Sequence, residues 1–246
     1  MKKYALVTGA TSGIGKEIAF KLAERGFSVI ACGRNEKVLT ELTERYGMTA
    51  HMCDLSDKNE CISLWNEYKM LDINVLVNCA GFGYVSDFDS ITVEDDVKMI
   101  NVNVTATQIL TKLFSSSMKS GVILNVCSAA AFSPEPLMAS YGASKAYVYS
   151  YSRAVDYELK KRKSKVRVRL LCPGAVDTPF EKVAGVTKPL PSMSAEKCAE
   201  YALRAIEGSK AVTVPGIPMK ISRFFSKIIP ENIILYVQYK IQGSKR

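Results

Sequence analysis

The sequence predicts an α/β fold in which one parallel sheet carries helices on both faces, and three observations predict it. Short apolar runs such as YALVT (4–8), FSVIACG (27–33) and GVILNVCS (121–128) have the length and content of strands buried on both sides. Segments with helical spacing, such as KEIAFKLAERG (16–26) and EKVLTELTERY (36–46), alternate with them. The first run also passes directly into the glycine-rich turn GATSGIG (9–15) and then into a helix.

Composition fits one large domain. The chain has 246 residues, 48% hydrophobic and 23% charged, enough for a single core. No apolar run approaches the roughly 18 residues of a membrane span, and the opening MKKYALVTGATSG turns to glycine too soon for a signal peptide. A cytoplasmic protein is expected. Seven cysteines, with no C-x-x-C spacing, read as small buried hydrophobes in a reducing compartment. His51 is the only histidine, so zinc catalysis and a Ser-His-Asp triad are hard to build, and no metal site is expected.

The net charge of +9 is partly local: KKRKSKVRVR (160–169) has seven cations and no carboxylate. Its first part closes a long helix, where cations oppose the negative end of the dipole. No aromatic residues interleave with it, so a solvated helix end is favoured over a nucleic-acid site.

In the first turn, Gly9, Gly13 and Gly15 let backbone approach a pyrophosphate, and the helix that follows offers free N–H groups. A Walker loop is excluded, because Glu17 stands where a magnesium-binding Ser or Thr is needed and residue 10 is alanine. The second strand ends on Gly33 and Arg34. An NAD site uses a carboxylate here for the ribose 2′-hydroxyl, whereas a 2′-phosphate calls for an arginine, so Arg34 predicts NADP(H) over NAD(H). Asn35 caps the next helix, which ends at Gly47.

Tyr141 and Lys145 lie four residues apart at the start of a long helix. An ammonium beside a phenol favours the phenolate and suits proton exchange with a carbonyl oxygen becoming an alcohol. Ser128 ends a buried strand, at the sheet edge where α/β folds place ligands.

The strings TGATSGIG (8–15), NCAG (78–81), Ser128, YGASK (141–145) and PGAVDT (173–178) together resemble the short-chain dehydrogenase/reductase family in order and spacing, over about residues 1–216. That resemblance implies a Rossmann-type sheet of about seven strands in the order 3-2-1-4-5-6-7. It implies a catalytic set of Asn103, Ser128, Tyr141 and Lys145, with Asn101 as a nearby competitor for the asparagine role. Cofactor contacts implied are Gly9, Thr11, Ser12, Gly13, Ile14 and Gly15 in the turn, Asp54 and Leu55 at adenine beside the Arg34 read above for the 2′-phosphate, and Asn78, Ala80 and Gly81 along the ribose. Tyr141, Lys145, Pro173, Gly174, Val176 and Thr178 complete it towards the nicotinamide. Cys79 departs from the family's Asn-Asn-Ala-Gly string. Asp54 also reads as the beginning of the cap of the next helix.

The expected reaction is hydride transfer between NADP(H) and a carbonyl or secondary alcohol. The apolar segment after Ser128 and the aromatic loop FGYVSDF (82–88) tilt the substrate towards a steroid or acyl chain. An acyl-carrier ketoreductase, with the basic run meeting an acidic carrier, is the enzymatic alternative, and a dinucleotide-sensing scaffold is the non-catalytic one. Residues 180–191 have no clean period and read as a mobile lid. Residues 217–246 read as a helical extension of the same domain, in which Ile221, Phe224, Phe225 and Ile228 make an apolar stripe opposite Lys220, Arg223 and Lys227. Such a stripe is expected to pack on its own protein or across a homo-oligomer interface, in preference to peripheral contact with a membrane.

Overall fold

The computed structural model describes residues 2–246. β1 (Lys3–Thr8), α1 (Gly13–Glu24), β2 (Phe27–Gly33), α2 (Glu36–Tyr46), β3 (Thr49–Met52), α3 (Lys58–Tyr68) and β4 (Ile73–Asn78) form the first half. The second continues with α4 (Val93–Ile100), a π-helical turn (Asn101–Ala106), α5 (Thr107–Ser117), β5 (Gly121–Val126), a 3-10 turn (Ala129–Phe132), α6 (Ala139–Lys161) and β6 (Val166–Leu171). After it come β7 (Val176–Asp177), α7 (Phe180–Val183), β8 (Met193–Ser194), α8 (Ala195–Glu207), β9 (Val212–Thr213), α9 (Ile217–Phe225) and α10 (Glu231–Gly243).

Seven parallel strands make the main sheet, in the order β3-β2-β1-β4-β5-β6-β9. Counted within that sheet this is the expected 3-2-1-4-5-6-7, because β7 and β8 pair only with each other, Val176 opposite Met193. Alternation along β1 explains the two layers. Ala5 and Val7 face a core built with Ile18 and Leu22 of α1, Leu42 of α2 and Leu203 of α8. Leu6 faces the other core, with Leu64 of α3 and Leu110 and Phe114 of α5. The strand order reverses between β1 and β4, and the crevice at their carboxyl ends is where such sheets bind ligands.

Local chemistry sets the helix ends. Asn35 Oδ1 accepts from Val38 N at 3.2 Å, Gly47 closes α2 in the left-handed region at φ 63°, and Ser194 Oγ accepts from Lys197 N. The cap of α3 is Asp57, accepting from Asn59 N at 2.8 Å, which corrects the reading of Asp54 as part of that cap. Asp54 instead folds onto Ser56, accepting from its N–H at 3.0 Å and its hydroxyl at 2.9 Å.

The structure adds detail to three further expectations. The basic run is not wholly solvated: Arg169 is 8% exposed and bonds Asp156 at 3.1 Å, since its strand position points it under α6. Within the segment read as a lid, Phe180–Val183 forms the short helix α7, Val85 N bonds Ala184 O at 2.8 Å, and the Thr187 and Lys188 amides bond Lys245 O. The tail stripe faces outward: Ile217, Ile221, Phe224, Phe225 and Ile228 are all exposed, while Arg223 turns inward over the rings of Phe132 and Tyr149. Among the described residues no helix is long and apolar enough to cross a membrane.

Candidate active site

The glycine turn is shaped by close approach. Gly9 has φ 68°, and a Cβ there would stand 2.9 Å from the Ala80 backbone, so only glycine lets β1 meet the end of β4 so tightly. Thr8, which sequence reasoning passed over, ties the same two ends, its Oγ1 accepting from Cys79 N at 3.0 Å and Ala80 N at 3.2 Å. Its signal was a lone hydroxyl ending an apolar strand. Ser12 precedes α1 without a side-chain cap, and no acidic residue lies in the first turn of that helix. Ser12, Gly13, Ile14 and Gly15 thus begin a helix whose first amides are available to an anion. Thr178 faces the turn, for a Cβ on Gly13 would lie 3.0 Å from its Cβ. These features fit a dinucleotide pyrophosphate.

At the far end of the crevice, Gly33 packs on Thr11, and Arg34 reaches towards Asp54 at 4.0 Å. Both side chains are well exposed, so this pair holds neither strongly. Burial pushes the Asp54 carboxyl up, but the Ser56 hydrogen bonds and the Arg34 charge outweigh it and hold the group below its usual range. Leu55 is buried beside it in the second core.

Asn78 ends β4 inside the sheet. Its Nδ2 donates to Asn125 Oδ1 at 2.8 Å and to Thr111 Oγ1 at 3.2 Å, while its Oδ1 is buried without a partner. Gly81 follows at a crowded point, where a Cβ would stand 3.0 Å from Asn103 Oδ1 and 3.3 Å from Lys145 Nζ. Asn103 and Lys145, 42 positions apart in sequence, therefore flank one spot.

Between α4 and α5 the helical path passes through the π turn, which carries Asn103. Asn103 is 1% exposed, donates to Phe82 O at 2.9 Å and Ser144 Oγ at 3.0 Å, and accepts from Phe82 N at 3.1 Å. Asn101 lies apart, at 3.5 Å from Thr105 Oγ1. Ser144 in turn donates to Tyr141 O at 2.7 Å, a link that the YGASK spacing could have revealed.

Ser128 caps the 3-10 turn, accepting from Ala130 N at 3.1 Å, and Ala129 N bonds Pro173 O at 2.7 Å. This brings the Ser128 strand end beside Pro173 and Gly174. Tyr141 and Lys145 share one face of α6, with Nζ 5.7 Å from the phenol ring centre, and Nζ donates to Val126 O at 3.2 Å. Burial raises the Tyr141 phenol above its ordinary pKa, and the Ser128 side chain pulls it down. Lys145 is itself lowered by burial, against the pull of Cys127 and other thiols. In the chain by itself, then, desolvation sets the direction for the phenol, and the Ser128 hydrogen bond is what opposes it.

Beyond Tyr141 the wall is mainly apolar, broken by Ser86 and Ser140. Its ring packs on Phe180 and against Gly83, and the adjoining depression is lined by Tyr84, Phe88, Met99, Leu137 and Met138. Leu137 adopts φ 63°, a strained conformation for a leucine, with its carbonyl bonded to Ser86 N at 2.9 Å. Two glutamines of α10, which sequence reasoning did not single out, reach the same loop: Gln238 Nε2 bonds Glu135 Oε1 at 3.0 Å and Gln242 Nε2 bonds Glu135 Oε2 at 2.8 Å.

Comparison with known proteins agrees with this geometry. The short chain dehydrogenase family matches residues 3–188. An uncharacterized oxidoreductase of Staphylococcus epidermidis is 33% identical over 213 residues, covering 82% of this chain and 91% of that one. A very-long-chain 3-oxoacyl-CoA reductase of Anas platyrhynchos is 35% identical over 209 residues, covering 76% of this chain and 65% of that protein. Among solved structures, a short-chain dehydrogenase from Sphingobium yanoikuyae in complex with NADPH superposes with a TM-score of 0.78 at 25% identity, over 94% of this chain and 97% of that one. With the sheet order, the glycine turn at its switch point and the convergent side chains all in agreement, the chain belongs to the short-chain dehydrogenase family and is an oxidoreductase acting between carbonyl and alcohol with NAD(P).

Proposed function

We propose that this chain is an NADP(H)-dependent reductase or dehydrogenase for an apolar carbonyl or secondary alcohol, of the acyl-chain or steroid kind. The observation that carries the reading is the meeting of Ser128, Tyr141, Lys145 and Asn103 at the edge of an apolar depression. Hydride is what the dinucleotide supplies or accepts when bound. Ser128 orients and polarises the substrate oxygen through its hydroxyl. The Tyr141 phenol donates its proton to that oxygen in reduction and receives it in oxidation. Lys145 holds the ribose and stabilises the phenolate that forms. Asn103 fixes the Phe82 backbone through two hydrogen bonds, donates a third to Ser144, and turns Oδ1 towards the spot that Nζ also borders, a route for a relayed proton.

The cofactor contacts proposed are the turn residues Gly9 to Gly15, Asp54 and Leu55 at adenine, Asn78, Ala80 and Gly81 along the ribose, and Pro173, Gly174, Val176 and Thr178 at the nicotinamide. Arg34, exposed at the tip of β2, is free to swing onto a 2′-phosphate. The seven cysteines are free thiols, in keeping with a reducing, cytoplasmic setting. Exposed Val93, Val97 and Ile100 along α4 offer a face for a second copy.

Supporting the acyl reading is the oxoacyl-CoA reductase relative. The carrier-linked alternative would seat a carrier on a basic run whose Lys161 lies sixteen residues along α6 from Lys145, about 24 Å at the helical rise. The test is NADPH absorbance with a panel of 3-oxoacyl thioesters, steroids and small ketones, beside NADH. Turnover only on small hydrophilic ketones, or equal use of NADH, overturns the reading.

A further inference from the structure

Amphipathic helices of a globular protein ordinarily turn their apolar stripe to the core. α9 does the reverse. Met219 and Arg223 face inward, Met219 against Gly174 and Arg223 over Phe132 and Tyr149 with Nη2 donating to Tyr149 Oη at 3.0 Å. Ile217, Ile221, Phe224 and Ile228, spaced one turn apart, stand 51–71% exposed. α10 repeats the pattern, with Gln238 and Gln242 inward on Glu135 and Ile233, Tyr236, Val237 and Ile241 outward. Half of the large exposed hydrophobics of the described residues, 11 of 22, fall within 217–241. That is a concentrated patch of the kind that marks an interaction surface.

Charge selects the occupant. Residues 217–246 hold six cations and one carboxylate, Glu231, so this stretch contributes +5 of the chain's +9. Lys220, Lys227 and Lys240 are exposed and make no ion pair among the described residues. Lys220 and Lys227 flank the apolar stripe of α9, the position from which a lysine buries its stem and leaves its ammonium among headgroups. A second copy docking on this face would oppose two basic patches, whereas an anionic lipid surface would neutralise one. We propose that the outward face of α9 and α10 docks the enzyme peripherally on an anionic phospholipid surface.

The patch adjoins the site. A Cβ on Gly243 would stand 3.8 Å from Leu137 Cδ1, and Leu137 lines the depression beside Tyr141. Docking would bring the rim of that depression to the lipid, a consequence that rests on the apolar-substrate reading although the docking itself does not.

The test is co-sedimentation of the full chain with phosphatidylcholine vesicles, with and without about 30% phosphatidylserine. The expected result is pelleting with the anionic vesicles, at least about tenfold more than with the neutral ones, and release at about 0.5 M salt as screening shortens. Phe224→Glu with Ile228→Glu, and separately Lys220→Glu with Lys227→Glu, should each cut binding by about tenfold or more, at unchanged melting temperature and NADPH binding. Equal binding to both vesicles, or indifference to both pairs of substitutions, overturns the proposal. So does a concentration-dependent dimer, dissolved by Phe224→Glu, in a chain that binds no vesicles. Lipid binding is read without turnover, so it stands or falls apart from the substrate assignment.

Discussion

α5 and α9 carry comparable apolar stripes and meet opposite environments. Phe114 on α5 is fully buried between sheet and α3, whereas Phe224 on α9 is 62% exposed. Cations show the same inversion: Lys145 on α6 is buried beside Tyr141, while Lys220 and Lys227 lie in solvent. Helical period therefore says which residues share a face, but the neighbours of that face decide what it does. The inner helices border a sheet that covers them on one side, and α9 and α10 come after the last strand with no layer outside them.

The largest expected effect lies inside. Tyr141→Phe should lower turnover by about a thousandfold while leaving dinucleotide binding intact, as shown by single-turnover kinetics beside nucleotide titration. Near-normal turnover would end the assignment of Tyr141 as the proton donor. The stripes themselves can be compared by unfolding. Phe114→Ala should cost about 3–5 kcal/mol through lost burial and an unfilled cavity. Phe224→Ala should change stability by less than about 0.5 kcal/mol, and a loss similar to that of Phe114→Ala would show that α9 is packed after all.

Arg34 supplies an outer charge to set against the buried Lys145. Arg34→Ala should weaken NADPH affinity by about tenfold or more and leave NADH affinity nearly unchanged, since a charged hydrogen bond to the 2′-phosphate is lost and a hydroxyl never needed it. Equal loss for both nucleotides would place Arg34 elsewhere.

A further effect, read against pH, joins the two regions. Burial pushes Glu135 from its ordinary 4.5 up to about 7, against the opposing pull of the Gln242 hydrogen bond and the Lys245 charge. The folded chain then holds this proton more tightly than the unfolded one. Its contribution to stability is present below about pH 4.5 and is lost as pH rises through about 7, on the order of 3 kcal/mol in all. Glu135→Gln should flatten that part of the melting-temperature profile; an unchanged profile would show that Glu135 does not tie α10 to the loop before α6 through this proton.

Much of the nucleotide end was legible because it depends on contiguous residues. The turn from Gly9 to Gly15, the caps at Asn35 and Ser194, and the Tyr141 to Lys145 spacing are local, and each takes the geometry that its residue types favour. Contacts between distant residues were not legible. Thr8 on Cys79, Asn103 beside Lys145, and the burial of Arg169 under α6 each join positions that no local period connects. Asp57 displaced Asp54 as a helix cap because both stand within a turn of the same start and only the backbone path chooses between them.

By itself the sequence determined the alternation of strands and helices, the glycine turn and the placing of Tyr141 and Lys145 on one helix face, because short-range sterics and periodicity suffice for those. Only the tertiary structure decided which stripes are covered, where the π turn puts Asn103, and that the tail turns its apolar side outward. The physical reason is that burial belongs to the neighbours brought in by the fold, and the free energy of an apolar or charged group depends on that environment more than on its own identity.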